Sequence, residues 1–297
     1  MKKTSILVVS DVEFAHATVF EHGLQLAQQL DAELHIVHPV PADHPLSFRA
    51  GERFRRLTEM RTRAKDAGVP VYLTLRQGHP AEVATEYGAA RAVDLIVVGA
   101  EPRTGWKRVN APSLAEGVVR LTRQPTLVLP VGGRDASLPF DRVVLAVDRI
   151  DRTGELMTRA ADVLGRPARE LTVVHAVGSL EAANAFYARS RWLVPEVRAY
   201  LLANVRNELT TAVAPYLDDV VDTRVRATAG GALDAIVSQA AESDADLIVV
   251  GGSQRVLRTA SVTARLVRRA DRALLVLPEN DVTASAWRRP LAAEHIA

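Results

Sequence analysis

The hexapeptide DLIVVG stands at residues 94–99 and again at residues 246–251. An apolar, β-branched run that ends in glycine is typical of a buried parallel strand meeting a turn. Three further segments repeat in the same order: ILVVSD (6–11) with VVLAVD (143–148), ELHIVHPV (33–40) with ELTVVHAV (170–177), and PTLVLP (125–130) with ALLVLP (273–278). The chain therefore contains one unit twice, and DLIVVG is a strand of that unit.

The spacing of the matched segments locates the length changes between the two copies. Asp148 follows Asp11 by 137 residues, and the two second strands are separated by the same offset. The offset between the two copies of DLIVVG is larger, 152 residues. For the last pair of strands it falls to 148. The second copy therefore gains 15 residues between its second and fourth strands and loses four after the glycine.

Composition limits the class of protein. With 297 residues, the chain has room for two domains of about 150 residues each. The net charge of +2 provides no large basic field for nucleic acid, and the lack of cysteine excludes disulfides and thiolate chemistry. The first apolar run ends at Asp11, too short for a signal peptide, and no run reaches the roughly 20 apolar residues of a membrane span. We expect a soluble, cytoplasmic protein without nucleic-acid or membrane partners.

Strands and helices alternate in both copies, which predicts a parallel sheet covered on both faces. Phe20, Leu24 and Ala27, for example, follow the spacing of a helix face, and Pro80 suits the first turn of a later helix. In the second copy, the extra residues lengthen the second helical region, which we expect Pro195 to divide into two helices.

The domain boundaries follow from the repeat. The predicted domains are residues 1–133 and 142–280, joined by a linker at 134–141 in a stretch rich in Gly, Ser and Pro. The tail, 281–297, has no periodic pattern. Two interpretations of the tail stay open: it is disordered, or Trp287 and Leu291 pack on a neighbour.

Three features together resemble the universal stress protein family, and specifically its tandem two-domain members. They are the aspartate after each first strand, the second strands HIVHPV and TVVHAV, and DLIVVG followed by a helix that begins with serine. The resemblance covers residues 4–130 and 142–278. It implies two flavodoxin-like domains, each a doubly wound, five-stranded parallel sheet of order 3-2-1-4-5, related by pseudo-twofold symmetry through their paired last strands.

The resemblance also implies a nucleotide site in one branch of the family. There, ATP or AMP lies on the backbone donors of a loop that reads Gly-x-x-Gly, nine residues, then Gly and Ser or Thr. Glycine suits such a loop because it permits positive φ and brings its N–H close to a phosphate. The candidate ligand-binding residues on this pattern are Asp11, Gly99 and Ser113 in the first copy, and Asp148, Ala176, Gly251 and Ser261 in the second.

Both copies depart from the nucleotide-binding pattern. In the first, Pro102 and Pro112 stand at two glycine positions and Pro39 at the position that resembles an adenine contact, and proline has no N–H to donate. In the second, Gln254 and Ala260 replace the later glycines, and the loop is four residues shorter. We expect no ATP in the first copy and at most weak, AMP-like binding in the second.

Each candidate residue also has a purely structural interpretation. Ser113 followed by Glu116 is a capping box, Ser261 also begins a helix, and the two aspartates are placed to satisfy loop amides. Basic side chains in the two loops either replace the missing donors or form a solvated surface: Arg103, Lys107, Arg108, Arg255 and Arg258.

No catalytic or metal site is predicted. His35 and His38 lie on opposite faces of a strand and form no metal pair, and His38 and His175 are interpreted as core histidines. The sequence has no Walker loop, dinucleotide fingerprint, nucleophile elbow or HExxH motif, and its spacing supports no nucleophile–base pair.

Three functions remain open. The first is a regulatory stress-response protein with eroded ATP-type sites that is not an enzyme and acts through a protein partner. The second is a stress sensor that binds ATP or AMP in its second copy, and the third is a weak ATPase on the same sheet. A homodimer is compatible with each of them.

Overall fold

The structure is a computed structural model of the 297-residue chain. It describes residues 3–10, 16–40, 50–100, 113–131, 138–178, 194–217, 221–252, 261–269 and 271–278. Asp11, the loops after both copies of DLIVVG and the tail predicted at 281–297 lie outside the described residues.

Each half contains five strands and four α-helices among the described residues, and the second half has in addition 3-10 helices at Ile150–Arg152 and Ala214–Tyr216. The first half comprises β1 (Ser5–Val9), α1 (His16–Gln29), β2 (Glu33–Val40), α2 (Ala50–Asp66), β3 (Val71–Gln77), α3 (Pro80–Arg91), β4 (Leu95–Ala100), α4 (Leu114–Leu121) and β5 (Thr126–Pro130). The second comprises β6 (Arg142–Val147), α5 (Thr153–Leu164), β7 (Glu170–Val177), α6 (Val194–Val213), β8 (Asp222–Ala229), α7 (Ala232–Glu242), β9 (Leu247–Gly252), α8 (Val262–Arg269) and β10 (Ala273–Pro278). Both hexapeptides form the predicted fourth strands, β4 and β9.

The ten strands form one continuous sheet of order β3-β2-β1-β4-β5-β10-β9-β6-β7-β8. Within each half, the order is 3-2-1-4-5 and neighbouring strands are parallel. The halves meet through β5 and β10, which pair antiparallel. The predicted fold, two tandem doubly wound domains, is therefore confirmed.

The pseudo-twofold axis passes through one residue pair. Leu127 of β5 lies opposite Leu275 of β10, and Leu275 is the equivalent of Leu127 at the repeat offset of 148. Both side chains are fully buried. Gln29 Nε2 at the end of α1 donates a 3.1 Å hydrogen bond to the carbonyl of Leu164 at the end of α5. The two halves thus share a hydrogen bond between helices in addition to their sheet.

The strands are apolar because both faces of the sheet are covered. Along β1, Ile6 and Val8 face a core that includes residues of α1, α2, α5 and α6, while Leu7 and Val9 face a core with α3, α4, α7 and α8. Each of these two cores contains residues of both halves. Alternation of side chains across a pleated strand places successive residues in different cores, so a continuous apolar run is required.

The aspartate that opens each hexapeptide joins two strands at their amino ends. Asp94 donates its backbone N–H to the Ser5 carbonyl at 2.9 Å, and its carboxylate accepts from the Ser5 backbone N–H at 2.9 Å. Asp246 makes the same exchange with Arg142, at 2.8 and 3.0 Å. The carboxylate also pairs with the Arg142 guanidinium and raises the pKa of that side chain. The repeated aspartate therefore has a structural role in both copies.

An ion pair between α4 and α8 links the two halves. Arg268 donates through Nε and Nη2 to the carboxylate oxygens of Glu116, at 3.0 and 3.1 Å. The equivalent positions at the offset of 148 hold Ala264 and Arg120, which cannot form such a pair. This contact therefore breaks the pseudo-twofold symmetry.

The lengthened helical region is described only in part. Pro195 is the second residue of α6, where its missing N–H leaves no helical hydrogen bond unmade. The predicted preceding helix falls on residues 179–193, outside the described ranges. Within those ranges, no helix combines the length and apolar character that a membrane-spanning segment requires.

We predict that the Leu127–Leu275 pair carries much of the contact between the halves. Leu275→Ala removes a fully buried side chain and should lower the free energy of unfolding by about 2–5 kcal/mol, measured by urea denaturation. Leu121→Ala is the matched control, because that leucine is 47% exposed, and should change stability by about 0.5 kcal/mol or less. Equal losses in the two variants would contradict this prediction.

Candidate functional site

A cleft opens at the carboxyl end of the second half's strands. In the sheet, β7 lies on one side of β6, and β9 and β10 lie on the other side. The cleft is at this point, where the strand order reverses. Ligands of open parallel sheets bind at such switch points. The described lining residues are Val147, Asp148, Arg149, Arg152, Glu155, Leu156, Arg159, Gly251 and Leu277.

The cleft brings two of the predicted residues together. Asp148, which follows β6, and Gly251 of β9 both line it. Ala176 lies half-buried near the end of β7, opposite Thr228 of β8, and Ser261 accepts a 3.1 Å hydrogen bond from the Ala264 backbone N–H. Neither of them is among the described lining residues.

The first half differs at the equivalent glycine. A Cβ added to Gly99 would lie 3.0 Å from a methyl of Val131 and 3.1 Å from a methyl of Val19. A Cβ added to Gly251 would have Leu156, at 3.9 Å, as its nearest neighbour among the described residues. Leu156 is the equivalent of Val19 at the repeat offset of 137. Two valines therefore stand over the glycine in the first half, whereas no described side chain of the second half comes as close to Gly251; Glu279, the equivalent of Val131, lies outside the described residues.

The remaining first-copy candidates do not form a comparable site among the described residues. Ser113 accepts a 3.1 Å hydrogen bond from the Glu116 backbone N–H and so caps α4, while the Glu116 carboxylate pairs with Arg268. Pro39 is buried within β2. Asp11 lies outside the described residues.

The loop residues that replace the motif glycines and the basic residues of both loops also lie outside the described residues. These positions are Pro102, Arg103, Lys107, Arg108, Pro112, Gln254, Arg255, Arg258 and Ala260. The two histidines interpreted as core residues are described: Nδ1 of His38 donates to the Ser10 carbonyl at 2.7 Å, and Nδ1 of His175 donates to the Val147 carbonyl at 2.8 Å.

Sequence reasoning missed the charged wall of the cleft. Arg152 lines it from just before α5, Glu155 and Arg159 line it from the first two turns of α5, and Arg149 adds a further guanidinium. The spacing of three and four residues is the signal that could have found them, because it places side chains on one helix face.

Comparison of the two copies strengthens that signal. At the repeat offset of 137, Glu155 corresponds to Thr18 and Arg159 to His22. Nδ1 of His22 donates to the carbonyl of Thr18 within α1. The ionic pair of the second copy is thus replaced by neutral threonine and a backbone-bonded histidine in the first.

Arg159 is held firmly in the wall. Its Nη1 donates a 2.7 Å hydrogen bond to the carbonyl of Pro278, at the end of β10, and lies 3.8 Å from the Glu155 carboxylate. Burial lowers the pKa of the Arg159 guanidinium; Glu155 opposes this effect and Arg152 adds to it. A partly desolvated cation interacts strongly with an added anion, because little water screens it.

The neighbouring charges are partly neutralised by local pairs. Arg149 donates to both carboxylate oxygens of Asp151, at 3.2 and 2.6 Å, and this contact lowers the pKa of Asp151. The part of the cleft that the described residues enclose has a volume of about 20 Å³, room for about one water molecule. Among the described residues, a larger ligand therefore contacts the charged side chains at the mouth.

The fold and cleft define a class: a tandem, doubly wound α/β protein in which two flavodoxin-like halves form an internal pseudodimer. The model of the universal stress protein family matches residues 3–130 and 139–278, which together cover most of the chain. The chain belongs to the universal stress protein family.

Known proteins agree with this assignment. A universal stress protein of Methanocaldococcus jannaschii is 24% identical over 136 residues, which cover 42% of this chain and 80% of the relative. The crystal structure of a universal stress protein from Archaeoglobus fulgidus DSM 4304 matches with a TM-score of 0.65 and 16% identity, covering 93% of this chain and 97% of that one.

A match that covers 44% of this chain is the crystal structure of a universal stress protein in complex with cAMP. Its TM-score is 0.38 and its identity 20%, and 99% of that chain is covered.

The two fourth-strand glycines give a matched prediction. Gly99→Ala forces a methyl against Val19 and Val131 and should lower the free energy of unfolding by about 1–3 kcal/mol, whereas Gly251→Ala should change it by about 0.5 kcal/mol or less. Thermal or urea unfolding of both variants measures the difference. A larger loss for Gly251→Ala than for Gly99→Ala would contradict the described difference in space.

Proposed function

We propose that this universal stress protein is a non-catalytic, cytoplasmic regulator whose second half holds one adenine nucleotide, AMP-like rather than ATP-like. Its first half serves as a scaffold with an eroded site. A protein that holds a ligand without converting it affects the cell only through what it contacts, so the proposal includes a regulatory protein partner. Self-association into a homodimer stays a prediction.

The observation that carries the proposal is the difference between the two fourth-strand glycines. Close approach of a ligand to a backbone requires that no side chain stands over it. Among the described residues, Gly251 meets this condition, with Leu156 at 3.9 Å as its nearest neighbour, whereas Val19 and Val131 fill the space over Gly99. Pro39 supports the same asymmetry, since it has no N–H at the position that resembles an adenine contact.

The charges of the cleft favour a small anion. Among its described lining residues, three arginines face the carboxylates of Asp148 and Glu155, a net charge of +1 that falls to zero when Asp151, the partner of Arg149, is included. A single phosphate monoester carries a charge of about −1.5 to −2 at neutral pH, and a triphosphate carries considerably more. The monoester is therefore the better match to the charge available on these side chains.

The absence of catalysis is proposed from the chemistry of the same wall. Its described residues offer carboxylates and guanidinium groups, but no hydroxyl, amine or imidazole that could act as a nucleophile beside a base. Glu155, one of the two carboxylates, is already hydrogen-bonded to Arg152. An arginine-bound carboxylate is a weak base, because protonation would break that charged pair.

Calorimetry on the full chain tests the binding proposal. We expect one AMP site per chain, and affinity for ATP lower by about tenfold, since one added charge repulsion of about 1.4 kcal/mol has that effect. Gly251→Leu should abolish AMP binding by filling the space over β9. Gly51→Leu is the matched control, because that glycine is exposed on α2 with no neighbour within 4 Å.

Two results would contradict the binding proposal. One is an AMP affinity that Gly251→Leu leaves unchanged in a folded protein. The other is tight ATP binding that disappears in the Gly99→Leu variant, because the ligand would then lie in the first half. The full chain is the right material for this test, because separating the halves would expose β5 and β10 as unpaired edges.

Product analysis tests the absence of catalysis. Incubation with ATP and Mg²⁺ should release no phosphate above a heat-inactivated control, and Asp148→Ala should leave that result unchanged. Steady hydrolysis that disappears in a folded Asp148→Ala variant would show that the protein is an enzyme.

A further inference from the structure

Glu155 already interacts with two of the three arginines that line the cleft. Nε of Arg152 donates to Glu155 Oε2 at 3.0 Å, and Nη2 donates to Oε1 at 3.1 Å, so the contact is bidentate. Arg159 Nη1 lies 3.8 Å from Oε1 of the same carboxylate. One internal anion thus faces two of the cleft's three guanidinium groups.

A carboxylate and a phosphate monoester compete for the same arginine. Both present two oxygens at the spacing of the guanidinium fork, and both form charge-assisted bonds with it. The Glu155 side chain is 43% exposed at the mouth of the cleft, so it can rotate away into solvent. Arg159 keeps its place when this happens, because the Pro278 carbonyl also holds it.

We infer that Glu155 is a specificity-determining residue, a built-in competitor that restricts the cleft to ligands with a single phosphate. This inference rests on the proposed function. A monoester displaces the carboxylate from Arg152 and leaves one negative charge nearby. A di- or triphosphate brings further negative charge against the same displaced carboxylate, and the remaining lining arginine, Arg149, is already paired with Asp151.

The location of Glu155 supports this role over a role in stability. Thr18 stands at its position in the first copy, where the valines fill the space over Gly99, so α1 forms without a carboxylate there. The carboxylate is present in the half whose described residues form the cleft, and it is missing in the half where two valines stand over the glycine.

The test compares Glu155→Gln with Glu86→Gln in the full-length protein. Glutamine keeps the size of the side chain and removes its charge, and Glu86 is an exposed residue on α3 of the other half, so both variants change the net charge equally. Isothermal titration with AMP, ATP and inorganic triphosphate measures the affinities. Unfolding temperatures without ligand show whether each variant is folded.

We expect Glu155→Gln to raise the affinity for ATP and triphosphate by about tenfold and to raise that for AMP much less, because one repulsion between charges near a surface is removed. Glu86→Gln should change neither. Unchanged affinities in Glu155→Gln, or equal gains for AMP and ATP, would overturn the inference while the proposed AMP site stands. No nucleotide binding by wild type or variant would instead overturn the proposed function itself.

Discussion

The antiparallel pairing of β5 with β10 is the contact on which the rest of the structure depends. Without it, each half would end in a strand with a free row of backbone donors and acceptors beside a buried core, an arrangement that promotes aggregation. With it, the two five-stranded sheets become one, and both apolar cores extend across the junction. The cleft depends on this contact as well, because β10 supplies Leu277 to its wall and the Pro278 carbonyl to Arg159.

The repeat was sufficient to predict the sheet from the sequence. A buried parallel strand has to be apolar on both faces, so its sequence changes little between copies, and β2 and β7 have the bounds of the matched segments ELHIVHPV and ELTVVHAV. The aspartate of DLIVVG was visible but its role was not. Its partner is the first residue of a strand about 90 residues earlier in one copy and 104 in the other, a distance that local patterns do not encode.

The site was predicted less completely, for the same physical reason. Asp148 and Gly251 could be placed from the rule that ligands bind at the carboxyl ends of strands, and the structure brings them to one cleft. That Val19 and Val131 close over Gly99 depends on three segments meeting in space, and no spacing in the sequence reports it. Charged residues on an exposed helix face are common, so the wall formed by Arg152, Glu155 and Arg159 resembled an ordinary solvated surface until its neighbours were known.

The one-sided ion pair between Glu116 and Arg268 has a consequence for how such a protein can evolve. In a dimer of identical subunits, every substitution appears on both sides of the axis, so a change that benefits one subunit and harms the other has no net advantage. Joining the subunits in one polypeptide removes that coupling. Ala264 and Arg120 could then stay as they are while Glu116 and Arg268 paired. Covalent linkage thus lets natural selection act on each half separately, and neither half has to remain a copy of the other.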